Sequence, residues 1–435
     1  MSTRLLALLV SVLGMAALTP AQAFGSTTEG DHRGPTKADY VKDEILVTYK
    51  GGLPSRAHRD AVGVEMGLEE VSFEPVSGMV RYRIIDSRSV GDQQRALASR
   101  PDVARVNRNW LGDFYFDPND PYYWTYQWNL RKIDVPEAWD LVTAAGKPGG
   151  STRYVAIVDS GVDLDHEDLG YIYGWNFVSN NSQRGDGCVG TDPNTGITYY
   201  GHGTGVAGIA AAFTNNAKGI AGINYAAPIL SARISTGCVP NYAAAVDAIY
   251  YAVNNGASVI TASWGFDVNE VDTAELKDAV TYAWNNKIPV VAASGNENRG
   301  DFNHIAPARW YKVITVGGSD KQDQRWFDPN DPQQDRGANY GDPGLDVSAP
   351  AASIRYTDSR GLYVTYSGTS FAVPQVAGVI GLLKALYPNI SSQSIKERIW
   401  NGAEKVSYSY NWQPACGGQS AQLGCGRLNA HDTIE

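Results

Sequence analysis

The sequence predicts an α/β fold, a mostly parallel sheet with helices on both faces, preceded by a small α+β unit. From residue 153 onward, short apolar runs near Val155, Ile229, Val259, Val290 and Val313 alternate with helix-length stretches near Val206, Ala245, Ala279, Val379 and Ile395. Such alternation is what strands joined by crossover helices produce. The runs are apolar at every position, not at every second one, which marks strands covered on both faces. Residues 40–109 follow another rhythm, with strand-like runs at 44–49, 79–85 and 103–106, a weaker one near Val71, and helix-like runs at 56–66 and 90–99. That order is βαββαβ, a ferredoxin-like arrangement.

At 435 residues and 43% hydrophobic, the chain can hold two domains and a processed leader. Residues 1–23 read as a secretory signal: Arg4, an apolar core over 5–18, then Ala21-Gln22-Ala23 as a cleavage site. Export follows, to the exterior or the periplasm. A membrane anchor needs about 20 apolar residues, and no other segment is read as one. Residues 24–110 balance 13 Lys and Arg against 13 Asp and Glu, whereas residues 111–435 carry 22 against 33, a net of −11. So acidic a domain repels a phosphate backbone, which excludes nucleic acid as a partner. Four cysteines in an exported chain are expected to pair. Cys416 and Cys425 lie close together among glycines, which favours a local bridge and leaves Cys188 with Cys238. Four cysteines allow three connectivities, and no C-x-x-C spacing suggests a metal cluster.

The residue with the most chemistry around it is Ser370, in YSGTSFAVPQVAG. An extended run over 362–366 passes through Gly368 and Thr369 into an apolar stretch of helical length, 371–387. A helix N-terminus offers unpaired N–H groups and the positive end of the helix dipole, both favourable to an oxyanion. Thr369 or Ser370 could equally do no more than cap that helix. A nucleophilic serine needs a base, and the chain has six histidines. His202 stands apart because Gly201 and Gly203 flank it at the start of an Ala-rich helix. The carboxylate that orients such a histidine belongs at the end of a rigid strand, where Asp159 follows the apolar run 155–158. Singly, each has an ordinary reading: a satisfied core histidine, an Asp at a turn. Together they occur in the order Asp, His, Ser, which is that of subtilisin and of neither chymotrypsin nor the α/β-hydrolases, and the chain has no G-x-S-x-G elbow.

On DSGVD at Asp159, GHGT at His202, SGN at Asn296 and GTSFAVPQVAG at Ser370, the chain resembles the subtilisin-family (subtilase) serine proteases over residues 114–431. The resemblance implies a secreted serine endopeptidase with Ser370 as nucleophile, His202 as base, Asp159 as its orienting acid and Asn296 as side-chain oxyanion donor. It implies an extended peptide or protein substrate added as a strand along Ser263, Trp264 and Gly265, with Glu297 at the pocket rim. Residues 24–112 become an inhibitor and chaperone propeptide, cut by the enzyme itself between 110 and 116, and residues 113–435 the catalytic domain. It further implies structural calcium held by Asp120, Asp168, Asn216 and the carbonyls of Phe213, Lys218 and Ile220. No organic cofactor is expected, and a monomer is.

The family's pattern differs at Gly205 and Gln375, where it has His, and at Phe371, where it has Met. A narrow processing peptidase and an inactive binding module are the alternatives. Against the second, the triad and Asn296 are complete; against the first, no domain is expected after the catalytic one. An apparent insertion, 322–336, repeats the string DPNDP found at 117–121 and reads as a polar loop.

Overall fold

A computed structural model describes residues 40–110, 117–191, 198–329, 331, 335–341, 344–406 and 422–435. The signal segment, the expected cut after residue 110 and Cys416 lie outside the described residues. The chain divides into two units, Met1–Asp113 and Phe114–Glu435.

In the first unit, the strands Tyr40–Tyr49, Leu68–Phe73, Met79–Ile84 and Val103–Trp110 form one antiparallel sheet, with the first strand between the third and the fourth. Helices Arg56–Met66 and Val90–Ala98 complete the expected βαββαβ order. Alternate residues Ile45, Val47 and Tyr49 face a core shared with Val62, Met66, Val80, Tyr82 and Leu97. Both helices start on serine caps, Ser55 accepting from the His58 N–H and Ser89 from that of Asp92.

The second unit is built on a parallel sheet of seven strands. In spatial order they are Val347–Pro350, Val313–Ser319, Val290–Ala293, Val259–Ala262, Val155–Asp159, Ile229–Arg233 and Ile172–Asn176. Alternate side chains of each strand enter different cores. Val155, Ile157, Val259 and Val291 pack with helices Val135–Ala144, His202–Ala211 and Thr369–Leu386. Ala156, Val158, Ile260 and Val290 pack with Tyr242–Asn254 and Ala274–Asn285 on the opposite face. Burial on both faces is why the runs read as apolar throughout.

Five of the seven strands match the expected runs. Ile172–Asn176 is an edge strand with half-exposed residues and a glycine, and Val347–Pro350 is four residues ending in proline, so neither presents an apolar run. The strand order reverses between Val155–Asp159 and Val259–Ala262, and the carboxyl ends on either side of that point are where open α/β sheets place their sites. Helix Thr369–Leu386 is long and apolar enough to cross a membrane, yet it lies in the core with nearly every residue buried.

Candidate active site

Each candidate side chain leaves the scaffold at an element's end. Asp159 is the last residue of its strand and 4% exposed. His202 is the first residue of its helix, after Gly201 at φ 98°, a left-handed turn that a side chain would strain. Ser370 is the second residue of helix Thr369–Leu386, whose cap is Gly368 with no side-chain cap bond. Ser370 is therefore inside the helix, and neither it nor Thr369 serves as the cap.

The structure brings these residues to one cleft of about 1630 Å³, lined also by Asn296, Ser263, Trp264, Gly265 and Glu297. His202 Nδ1 lies 2.7 Å from Asp159 Oδ1, which also accepts the Ser160 N–H at 2.7 Å. Burial pulls the His202 pKa down. The Asp159 charge, the bond to it and the charge of Asp186 more than offset this and hold the imidazole above its ordinary value. Ser370 Oγ donates to the Ser263 carbonyl at 3.3 Å, and it is Ser263 Oγ that donates to the Ser370 carbonyl at 2.9 Å. No bond joins Ser370 to His202 here. The bond that Ser370 does make is longer than hydroxyl bonds usually are, so it is readily exchanged.

Asn296 follows the strand Val290–Ala293, and its Oδ1 accepts both the Thr369 N–H and the Thr369 Oγ–H at 2.8 Å. With the oxygen so held, the amide NH₂ is the end left for a ligand. Nothing in the local pattern around Thr369 points to this role, because its partner lies 73 residues away. Glu297 is tied inward: Oε2 accepts from the Asn296 N–H at 3.0 Å and from Asn339 Nδ2 at 2.6 Å. Trp264 is anchored by its indole N–H on the Val158 carbonyl at 2.6 Å.

The departures at Gly205 and Phe371 are one packing arrangement. A Cβ on Gly205 would sit 2.4 Å from the Tyr356 ring, and that ring stacks on Phe371 with centroids 4.5 Å apart. Phe371 in turn lies 6.2 Å from the His202 ring. Gln375 is buried and bonded to the Pro350 and Phe371 carbonyls and to Asn129.

Cys188 and Cys238 form a disulfide, tying the turn before His202 to the turn after Ile229–Arg233. Cys425 is also disulfide-bonded. In the insertion, Asp328 pairs with Arg336, Asp331 accepts the N–H groups of Asp335 and Arg336, and all four residues line the cleft.

Away from the cleft, Asp120 and Asp168 are buried near the loop 213–220. Asp168 accepts the Ile220 N–H at 2.9 Å and Asn216 Nδ2 at 2.8 Å, and Asp120 accepts the Asn215 N–H at 2.7 Å. Asp120 Oδ1 is buried with no hydrogen-bond partner among the described residues. Burial raises both acids, Asp168 to about 7, with the Asp120 charge adding to it. Two desolvated acids side by side, one with an orphaned oxygen, fit a hard cation. Asn216 turns its NH₂ to Asp168 and its oxygen to the Lys218 N–H, so it would have to rotate its amide to serve as a ligand. The Phe213 N–H bonds the Asp168 carbonyl, which places its backbone at the same spot.

Comparison with known proteins shows the family. Residues 150–426 match the subtilase family, and residues 26–109 match the fervidolysin N-terminal prodomain. Thermitase of Thermoactinomyces vulgaris is 36% identical over 74% of this chain and 100% of its own length. A thermophilic serine proteinase of Bacillus sp. strain AK1 is 33% identical over 92% of this chain and 88% of its own. Among solved structures, a protease of Pseudoalteromonas arctica PAMC 21717 superposes with a TM-score of 0.57 at 25% identity, covering 73% of this chain and 98% of the other. The chain belongs to the subtilase family and is a serine endopeptidase made with an N-terminal prodomain.

Proposed function

We propose that Asp159, His202 and Ser370 form the catalytic triad, that Asn296 completes the oxyanion site, and that the enzyme frees itself from its own propeptide. The observation that carries this reading is the 2.7 Å contact of His202 Nδ1 with Asp159 Oδ1 on the wall of a cleft shared with Ser370 and Asn296. The Asp159 contact fixes Nδ1 as the protonated nitrogen and leaves Nε2 as the base. Ser370 Oγ leaves the Ser263 carbonyl, gives its proton to Nε2 and attacks the scissile carbonyl. The Asn296 NH₂ and the Ser370 N–H at the helix N-terminus receive the oxyanion. Imidazolium then protonates the leaving amine, and water, activated by the same imidazole, releases the acyl group.

An extended substrate backbone pairs along Ser263, Trp264 and Gly265, with Glu297 at the rim. Residues 1–23 direct export and are removed; residues 24–112 are chaperone and inhibitor; residues 113–435 are the mature enzyme, acting outside the cell. Calcium, held by Asp120, Asp168, Asn216 and the carbonyls of Phe213, Lys218 and Ile220, would neutralise the two buried acids and stabilise the fold without taking part in the chemistry. Expression of the full chain beside its Ser370→Ala variant tests the reading. The parent is expected to lose its first 110–116 residues, and the variant to keep residues 24–112. Equal shortening of both would contradict self-processing.

A further inference from the structure

The helix that carries His202 begins without a cap of its own. Gly201 precedes it and has no side chain to offer the first N–H groups. Those groups are met from elsewhere in the chain. Asp186 Oδ2 accepts the Thr204 N–H at 2.8 Å and the Thr204 Oγ–H at 2.6 Å. Asp186 Oδ1 accepts the Ser160 Oγ–H at 2.8 Å and the Cys188 N–H at 3.0 Å. Ser160 Oγ itself accepts the Gly203 N–H at 2.9 Å. Ser160 and Gly203 are the chain neighbours of Asp159 and His202, so the contacts close a ring, with the Asp159 to His202 bond on one side and Asp186 on the other.

We propose that Asp186 is a positioning residue for the reaction, a cap supplied by a separate turn of the same chain that clamps the backbone of His202 to the strand end of Asp159 and so aims the imidazole. The inference rests on His202 being the base. Four donors converge on one carboxylate, which is the number that two acceptor oxygens hold comfortably. A negative charge at a helix N-terminus also interacts favourably with the helix dipole. Asp186 is not among the residues lining the cleft, so it acts through His202 and not on substrate. Its own place is held by the turn Asp186-Gly187-Cys188, whose cysteine is bridged to Cys238. The charges that bear on His202 are Asp159, in contact with Nδ1, and Asp186 behind it.

The test uses matured enzyme, with active sites counted by a fluorophosphonate and kcat and KM measured on a peptide substrate across pH. In Asp186→Asn, an NH₂ replaces one acceptor and faces donors. The expected result is a kcat per active site lower by roughly ten- to hundredfold, as small misplacements of a base produce, with KM little changed. The rising limb of kcat/KM also moves toward acid, because a negative charge facing His202 is gone. Ser160→Ala removes one link of the ring but no charge, and is expected to lower kcat without moving that limb. A purely structural role would reduce melting temperature or yield while leaving kcat per active site and the limb as in the parent, and that overturns the proposal. Should Asp186→Asn not mature, an unchanged kcat in Ser160→Ala overturns it alone. Turnover surviving in Ser370→Ala would sink the triad reading instead, whatever Asp186→Asn does.

Discussion

Asn296 is held by Thr369: one amide oxygen takes both the N–H and the hydroxyl of the residue just before Ser370, each at 2.8 Å. The helix that presents Ser370, the proposed nucleophile, therefore also orients Asn296, the proposed oxyanion donor. Thr369→Val keeps the shape and removes one of the two bonds. It is expected to lower kcat with KM nearly unchanged, by less than removal of the donor itself. Asn296→Leu should cost roughly 10²–10³ in turnover, the magnitude known from a subtilisin. Steady-state kinetics on both variants checks the order.

The pH profile follows from His202. Burial lowers its pKa, but the facing Asp159 and Asp186 charges leave it above the ordinary imidazole value of 6.5. As the proposed base, His202 works only when neutral, so kcat/KM is expected to rise with a midpoint above 6.5. For stability the sign is opposite: a raised histidine pKa favours the folded state below 6.5, and that contribution fades as pH climbs through the raised value. A midpoint below 6.5 would contradict the electrostatics of the site.

Gly205 tests the aromatic packing beneath the histidine. In an ordinary helix, Gly→Ala gains about 1 kcal/mol. Here the added carbon would meet the Tyr356 ring at 2.4 Å, and the ring is backed by Phe371. Overpacking of this kind costs about 1–3 kcal/mol, so Gly205→Ala is expected to lower the melting temperature. A higher melting temperature would mean that Tyr356 moves freely.

Much of this was legible in the sequence because the strand ends are also the site. Apolar runs stop at Asp159, just before Ser263 and shortly before Asn296, so period and chemistry mark the same positions. The edge strand Ile172–Asn176 escaped notice because one side is open to solvent and its pattern is mixed. Asp186 and Thr369 escaped for a different reason. Apart from Cys188, two residues beyond Asp186, their partners are 18 to 73 residues away in the chain, and each looks locally like an ordinary turn or helix-start residue. The Cys188–Cys238 pair, 50 residues apart, was accessible because few cysteines leave few pairings.

The paired acids Asp120 and Asp168 give the calcium prediction. A chelator is expected to shorten the lifetime of the mature enzyme on heating, and added calcium to restore it. Asp168→Asn removes one buried charge and should make that lifetime insensitive to chelator. An identical chelator response in the parent and Asp168→Asn would place the ion elsewhere.

Whether His202 and Asp159 make Ser370 nucleophilic, as proposed, is read out by peptide mapping after fluorophosphonate treatment. The expected result is a single adduct on the peptide containing Ser370, absent in Ser370→Ala and formed far more slowly in His202→Ala. An adduct on another residue, or one formed at the parent's rate in His202→Ala, would contradict it.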